Sequence, residues 1–248
     1  MSARRTTLAA ALAALALAAA PGAASAQSSK ADAFAGKIPP VSGQLYQKAG
    51  RVELTATGNL SLNDAFYAKY FGGLKATYHF TDHWAAGLQA AGGTAVATNS
   101  AVVCSPSQGC NDATSTMLKQ VPGRIRYIVG AEGAWAPVYG KLNVVSEQVA
   151  HFDLSILAGP DLIGYDEVLA KEVAATQTPG VLTAFGGHVG LGLRVFFTPA
   201  IAARIEIKDY LYSVNVPNGG IGKDLQSQLF AELGVSWFLG SSSRPTTR

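Results

Sequence analysis

Residues 75–89 read KATYHFTDHWAAGLQ. In an extended chain Ala76, Tyr78 and Phe80 fall on one face and Lys75, Thr77 and His79 on the other, because successive side chains of a strand alternate. Thr81-Asp82-His83 interrupts the pattern. Trp84, Ala86 and Leu88 then share a face opposite Ala85, Gly87 and Gln89. Two alternating runs joined by three residues read as a hairpin. One face is apolar and carries rings near the turn; the other carries charge. Whether the apolar face meets a protein core or lipid decides the fold.

The start of the chain bears on that choice. Arg4 and Arg5 precede an apolar run over residues 8–20, Pro21-Gly22 ends the run, and Ala24-Ser25-Ala26 follows. Charge, apolar run and small-residue triplet in that order mark a secretory signal peptide, here residues 1–26. Residues 27–48, with Lys30, Lys37 and Pro39-Pro40, read as a loose periplasmic lead. Residues 49–240 are expected to form one domain and 241–248 a polar tail.

The chain has 19 basic and 16 acidic residues, and setting aside Arg4 and Arg5 leaves 17 against 16. So small a surplus does not suit a nucleic-acid partner. Charged residues make up 14%, against about 25% in typical soluble domains. Beyond the signal peptide no apolar stretch reaches the length of a membrane-spanning helix. An exported, charge-poor, glycine-rich chain of this kind has the composition of an outer-membrane barrel, since in lipid only helices and closed barrels satisfy the backbone.

Alternation predicts strands over 51–59, 67–80, 84–95, 124–136, 151–159, 185–197, 201–211 and 229–239. The fold class is therefore all-β, an eight-stranded antiparallel transmembrane β-barrel. Residues 81–83 and 198–200 are tight turns; 96–123, 160–183 and 214–224 are long connections. Segment 137–150 fits neither kind and could extend the fifth strand. The polar faces carry Arg51, Glu53, Lys75, Arg126, Glu132, Asp153, Arg194, Arg204 and Glu206. Eight strands leave an interior just wide enough for side chains to fill, so these charges are expected to pair across the lumen as a plug. Tyr78, Phe80, Trp84, Trp135, Phe197 and Trp237 lie near strand ends and are expected at the membrane interface. A soluble lipocalin-like barrel would show the same alternation turned inside out. Low charge and the aromatic placement favour lipid.

Little points to chemistry. Cys104 and Cys110 in CSPSQGC are expected to form a disulfide closing a small external loop. His79, His83, His151 and His188 form no metal-binding spacing, so no metal or cofactor is expected. His79, His151 and His188 are expected to point inward. Residues 151–155, HFDLS, come nearest to the His-x-Ser motif of a lipid-modifying barrel enzyme, with the wrong spacing. No nucleophile elbow is present. No small-molecule substrate is evident, and the expected partners are outer-membrane lipid and proteins of the envelope.

KYFGGLKATYHFTDHWAAGL (69–88), APVYGKLNVV (136–145) and HFDLSILAG (151–159) resemble an outer-membrane β-barrel domain family common in myxobacteria. The architecture is also similar to small OmpA- and OmpX-type barrels. The resemblance implies a barrel in the outer membrane and by itself implies no catalytic site; some members accompany gliding-motility or cell-envelope complexes, and the chain is expected to be a non-enzymatic component of the envelope. A narrow small-solute channel, with the inward charges as its lining, is the alternative.

Overall fold

The computed structural model describes residues 46–99, 101–105, 109–144, 148–217 and 222–240. The expected signal peptide, most of the lead and the polar tail lie outside these residues. Eight long strands close into a ring: β1 (Val52–Ser61), β2 (Tyr67–His79), β3 (Trp84–Ala97), β6 (Ile125–Val144), β7 (Gln148–Asp166), β8 (Val181–Phe196), β9 (Ile201–Val216) and β10 (Gly222–Leu239). Each pairs antiparallel with its neighbours along the chain, and β10 returns to β1 from Val52↔Leu239 to Ser61↔Phe230. Closure leaves no open sheet edge across the belt in which all eight strands pair.

Burial along the strands shows which face is inside. In β2, Leu74 is 68% exposed while Lys75 is 5%. In β3, Leu88 is exposed and Gln89 buried. The outer wall carries Leu54, Leu74, Leu88, Val129, Ile156, Leu191, Ile207 and Leu233, all exposed. The apolar residues point out and the charged ones in, the reverse of a soluble barrel.

Five of the eight strands run well past their expected ends. β6 continues through Pro137 to Val144 and β7 begins at Gln148, and the two pair from Val138↔Leu154 to Val144↔Gln148, beyond β3, whose pairing with β6 ends at Trp84↔Trp135. β7 also runs through Pro160. The β6–β7 ladder passes from Gly130↔Asp161 to Gly133↔Ala158, so the proline falls in a gap of that ladder. Its missing N–H costs little there.

The connection from β3 to β6 holds a small hairpin, β4 (Val102–Ser105) with β5 (Gly109–Asp112), and a single helical turn, α1 (Ser115–Leu118). Thr114 caps that turn, its side chain accepting from the Met117 N–H. Tyr67 Oη donates to the Leu118 carbonyl at 2.6 Å, and Lys119 Nζ donates to the carbonyls of Ala174 and Gln177. Val168, Leu169 and Ala174 are buried beneath. The connections after β3 and β7 thus cap one end of the ring.

Leu74→Arg separates a wall in lipid from a wall in water. On a watery surface the change should stay within about 0.5 kcal/mol. In lipid it should cost about 2–4 kcal/mol, read by urea unfolding of the barrel refolded into vesicles.

Candidate functional site

The filled lumen is the site, and it has three layers. Nearest the capped end is an apolar and aromatic cluster of Phe71, Ile125, Ile128, Ile163, Tyr165, Tyr210, Tyr212, Val214 and Phe230. At the tight-turn end Phe196 and Phe238 pack with Ala202, Tyr46 and Tyr139. Between them lies a continuous ionic lattice.

Arg204 links its two halves. Its Nη1 donates to Glu53 at 3.2 Å and its Nε to Glu206 at 2.6 Å. Towards the tight turns, Glu53 is also bound by Arg194 Nη2 at 2.8 Å and lies 2.8 Å from His79 Nε2. Arg194 reaches on to Asp153 at 2.9 Å, and Lys48 Nζ meets the same carboxylate at 2.5 Å. Towards the cap, Glu206 is bound by Lys75, and Glu132 by Lys208. Glu232 accepts from Tyr210 Oη at 2.8 Å and pairs with Lys75 at 2.9 Å. His188 lies 2.6 Å from Asp161, to which Gln89 also donates at 2.9 Å. A Cβ at Gly130 would sit 2.0 Å from Asp161 Oδ1, so a glycine there gives that carboxylate its room. Six carboxylates (Glu53, Glu132, Asp153, Asp161, Glu206, Glu232) thus face Lys48, Lys75, Lys208, Arg194 and Arg204, with His79 and His188 between. A void of about 10 Å³ beside Thr57, Asn59, Gln89, Tyr210 and Glu232 suits about one water.

Seven of the nine charges expected in the lumen meet in this lattice: Glu53, Lys75, Glu132, Asp153, Arg194, Arg204 and Glu206. Two do otherwise. Arg51 is buried at the mouth but donates to the carbonyls of Pro199 and Phe238, at 2.7 and 3.0 Å, and pairs with no carboxylate among the described residues. Arg126 points out. A bulge between Ile125 and Tyr127 shifts the phase of β6, turning Ile125 fully inward and Arg126 onto the rim. Simple alternation places both oppositely.

Sequence reading leaves Lys48, Asp161, Lys208 and Glu232 out of the lattice. Lys208 and Glu232 follow the strand alternation. Asp161 lies past a proline that reads as a loop start. Lys48 belongs to the expected lead, yet residues 46–51 fold onto the barrel floor. Lys48 is 1% exposed, its N–H and that of Ala49 donate to Asp82 Oδ1, and Tyr46 stacks on Phe196.

The remaining expected residues fall plainly. Tyr78, Phe80, Trp84, Trp135, Phe197 and Trp237 are all exposed around the tight-turn end, Trp84 and Trp135 stacked with centroids 5.8 Å apart. Cys104 and Cys110 are opposite each other on β4 and β5 and disulfide-bonded. His79, His151 and His188 point inward and His83 does not. Among the described residues no cluster of His, Cys, Asp and Glu is arranged to hold a metal ion.

No family model matches the chain, and no curated protein does. Solved structures similar in fold include the N-terminal β-barrel domain of Pseudomonas aeruginosa OprF, at 13% identity and TM-score 0.43, covering 77% of this chain and 98% of that one. OprG of Pseudomonas aeruginosa is similar at 14% identity and TM-score 0.40, over 78% of this chain and 98% of that one. Neisserial surface protein A is similar at 10% identity and TM-score 0.37, over 76% and 95%. The likeness is one of fold alone. The closed ring, its apolar wall and its charged filling by themselves define the class: a small transmembrane β-barrel.

Glu53→Ala leaves Arg194 and Arg204 buried without one of their anions. It should destabilise the barrel by about 3–5 kcal/mol, measured by urea unfolding in vesicles. The double change Glu53→Ala with Arg194→Ala should cost less than the sum of the singles, because the two act in one network.

Proposed function

We propose that the protein is a plugged, non-enzymatic barrel of the bacterial outer membrane that serves as a structural or interaction component of the cell envelope. The observation behind this is a wall that is apolar outside combined with a lumen filled by paired charges. A wall of that kind is stable in lipid, where a closed barrel meets every backbone hydrogen bond. The expected signal peptide puts the N-terminal end in the periplasm. The tight turns, the floor at residues 46–51 and the long β6–β7 extension then face the periplasm, and the capped connections face outside. Those two ends, and the wall itself, are the surfaces left for partners: membrane lipid and envelope proteins. Membership of the myxobacterial barrel family, and a part in a motility-associated complex, have the sequence resemblance as their support.

A narrow solute channel needs a continuous path. Among the described residues, the paired charges of the lattice and the aromatic layers on either side occupy the interior where such a path would run. A lipid-modifying enzyme needs its nucleophile on the lipid face, whereas His151 and Ser155 are both buried on the lumen side.

Expression in an outer membrane, with gel mobility compared before and after boiling, tests the membrane part of the proposal. A mobility shift on boiling is expected; a soluble periplasmic protein without a shift would sink it. Planar-bilayer recording tests the plug. The bilayer should show no regular conductance steps after insertion, and steady unitary steps would favour the channel.

A further inference from the structure

Arg126 is a charge turned out of the lumen onto the wall. The bulge that turns it out lies at the upper edge of the apolar belt. Immediately below are Val129 and Leu162, both exposed, and beside them the Tyr127 ring lies across Gly164 to reach Thr183 Oγ1 at 2.8 Å. Arg126 therefore stands where an aromatic girdle gives way to headgroups. A cation at mid-belt would be costly, but the cost falls away towards the interface.

The guanidinium is held in place. Arg126 Nε and Nη2 donate to the two oxygens of Asp166 at 2.6 and 2.9 Å, and Arg124 Nε lies 3.2 Å from the same carboxylate. Asp166 also donates its N–H to the Arg124 carbonyl at 2.9 Å. Asp166 is thus a positioning residue, its two oxygens taken up. Arg126 Nη1 and both Nη atoms of Arg124 have no protein acceptor among the described residues. Two guanidinium groups against one carboxylate leave one positive charge, and the side chains are 42% and 38% exposed. Glu167, the next acid, forms no ion pair with either among the described residues. Planar guanidinium groups with free N–H donors match the oxygens of phosphate.

We infer that Arg126, oriented by Asp166, and Arg124 beside it bind the phosphate of a lipid headgroup in the outer leaflet. This rests on the outer-membrane reading above. The site would fix lipid to one side of the barrel, beside the cap.

The test is native mass spectrometry of the full-length protein extracted in mild detergent, with a bis-phosphorylated lipid A or the same lipid stripped of phosphate. The wild type should retain the phosphorylated form about tenfold better, the worth of one or two charge-assisted hydrogen bonds. Arg124→Ala with Arg126→Ala should abolish the preference, and R126K should lower it. Inorganic phosphate at millimolar concentration should not displace the lipid. Equal retention of both lipids, or an unchanged preference in the double variant, would overturn the assignment. Displacement by inorganic phosphate would overturn the lipid as ligand. The heat-induced mobility shift separates causes. Should the double variant lose the shift, R126K and D166N carry the test, and a preference unchanged in both overturns the site. A wild type that lacks the shift removes the membrane reading and this site together.

Discussion

Arg204 ties the two halves of the lumen together. It binds Glu53 on one side and Glu206 on the other, and through them every other charge in the lattice is reached. An ion taken out of water costs several kcal/mol unless partners replace its hydration. The lumen of an eight-stranded barrel has room for side chains and little else. Charges placed there must therefore supply one another's hydrogen bonds. Such pairing is directional, and a slip of one residue in any strand would turn its charges out and its apolar residues in. The lattice and the apolar wall enforce the same register from opposite sides.

The layers on either side cover the lattice from bulk water. Phe230 and Tyr210 stand edge to face at the capped end, and Phe196 stacks with Tyr46 at the other. Tyr46 and Lys48 come from outside the ring of strands. Arg51 fastens the same segment to the carbonyl of Phe238 on the last strand. The floor is thus knitted to the seam where β1 and β10 close the barrel.

The period-two pattern carried most of this in the sequence. It placed all eight barrel strands in order, their lipid faces and seven of the lattice charges. It failed where local geometry changes phase. Nothing in the letters IRY signals the bulge that turns Ile125 in and Arg126 out. Pro160 reads as a loop start because the gap in the β6–β7 ladder that tolerates it is a pairing property. Lys48 was hidden for a different reason: it precedes the strands, and only folding brings its ammonium to Asp153. The cap was equally hidden, since Tyr67 and Leu118 lie far apart in sequence.

Bulk water should reach neither the wall nor the lumen of this barrel. Hydroxyl-radical footprinting of the unmodified protein in lipid bilayers addresses both at once. Exposed residues of the connections, such as Met117 and Phe66, report the rate in water. Tyr210 and Phe230 in the lumen, and Leu74 and Leu88 on the wall, should then remain essentially unoxidised. Oxidation of Tyr210 and Phe230 at a rate near that of Phe66 would mean a water-filled lumen. Oxidation of Leu74 and Leu88 would mean a wall in water, and either result would contradict the plugged, lipid-embedded barrel.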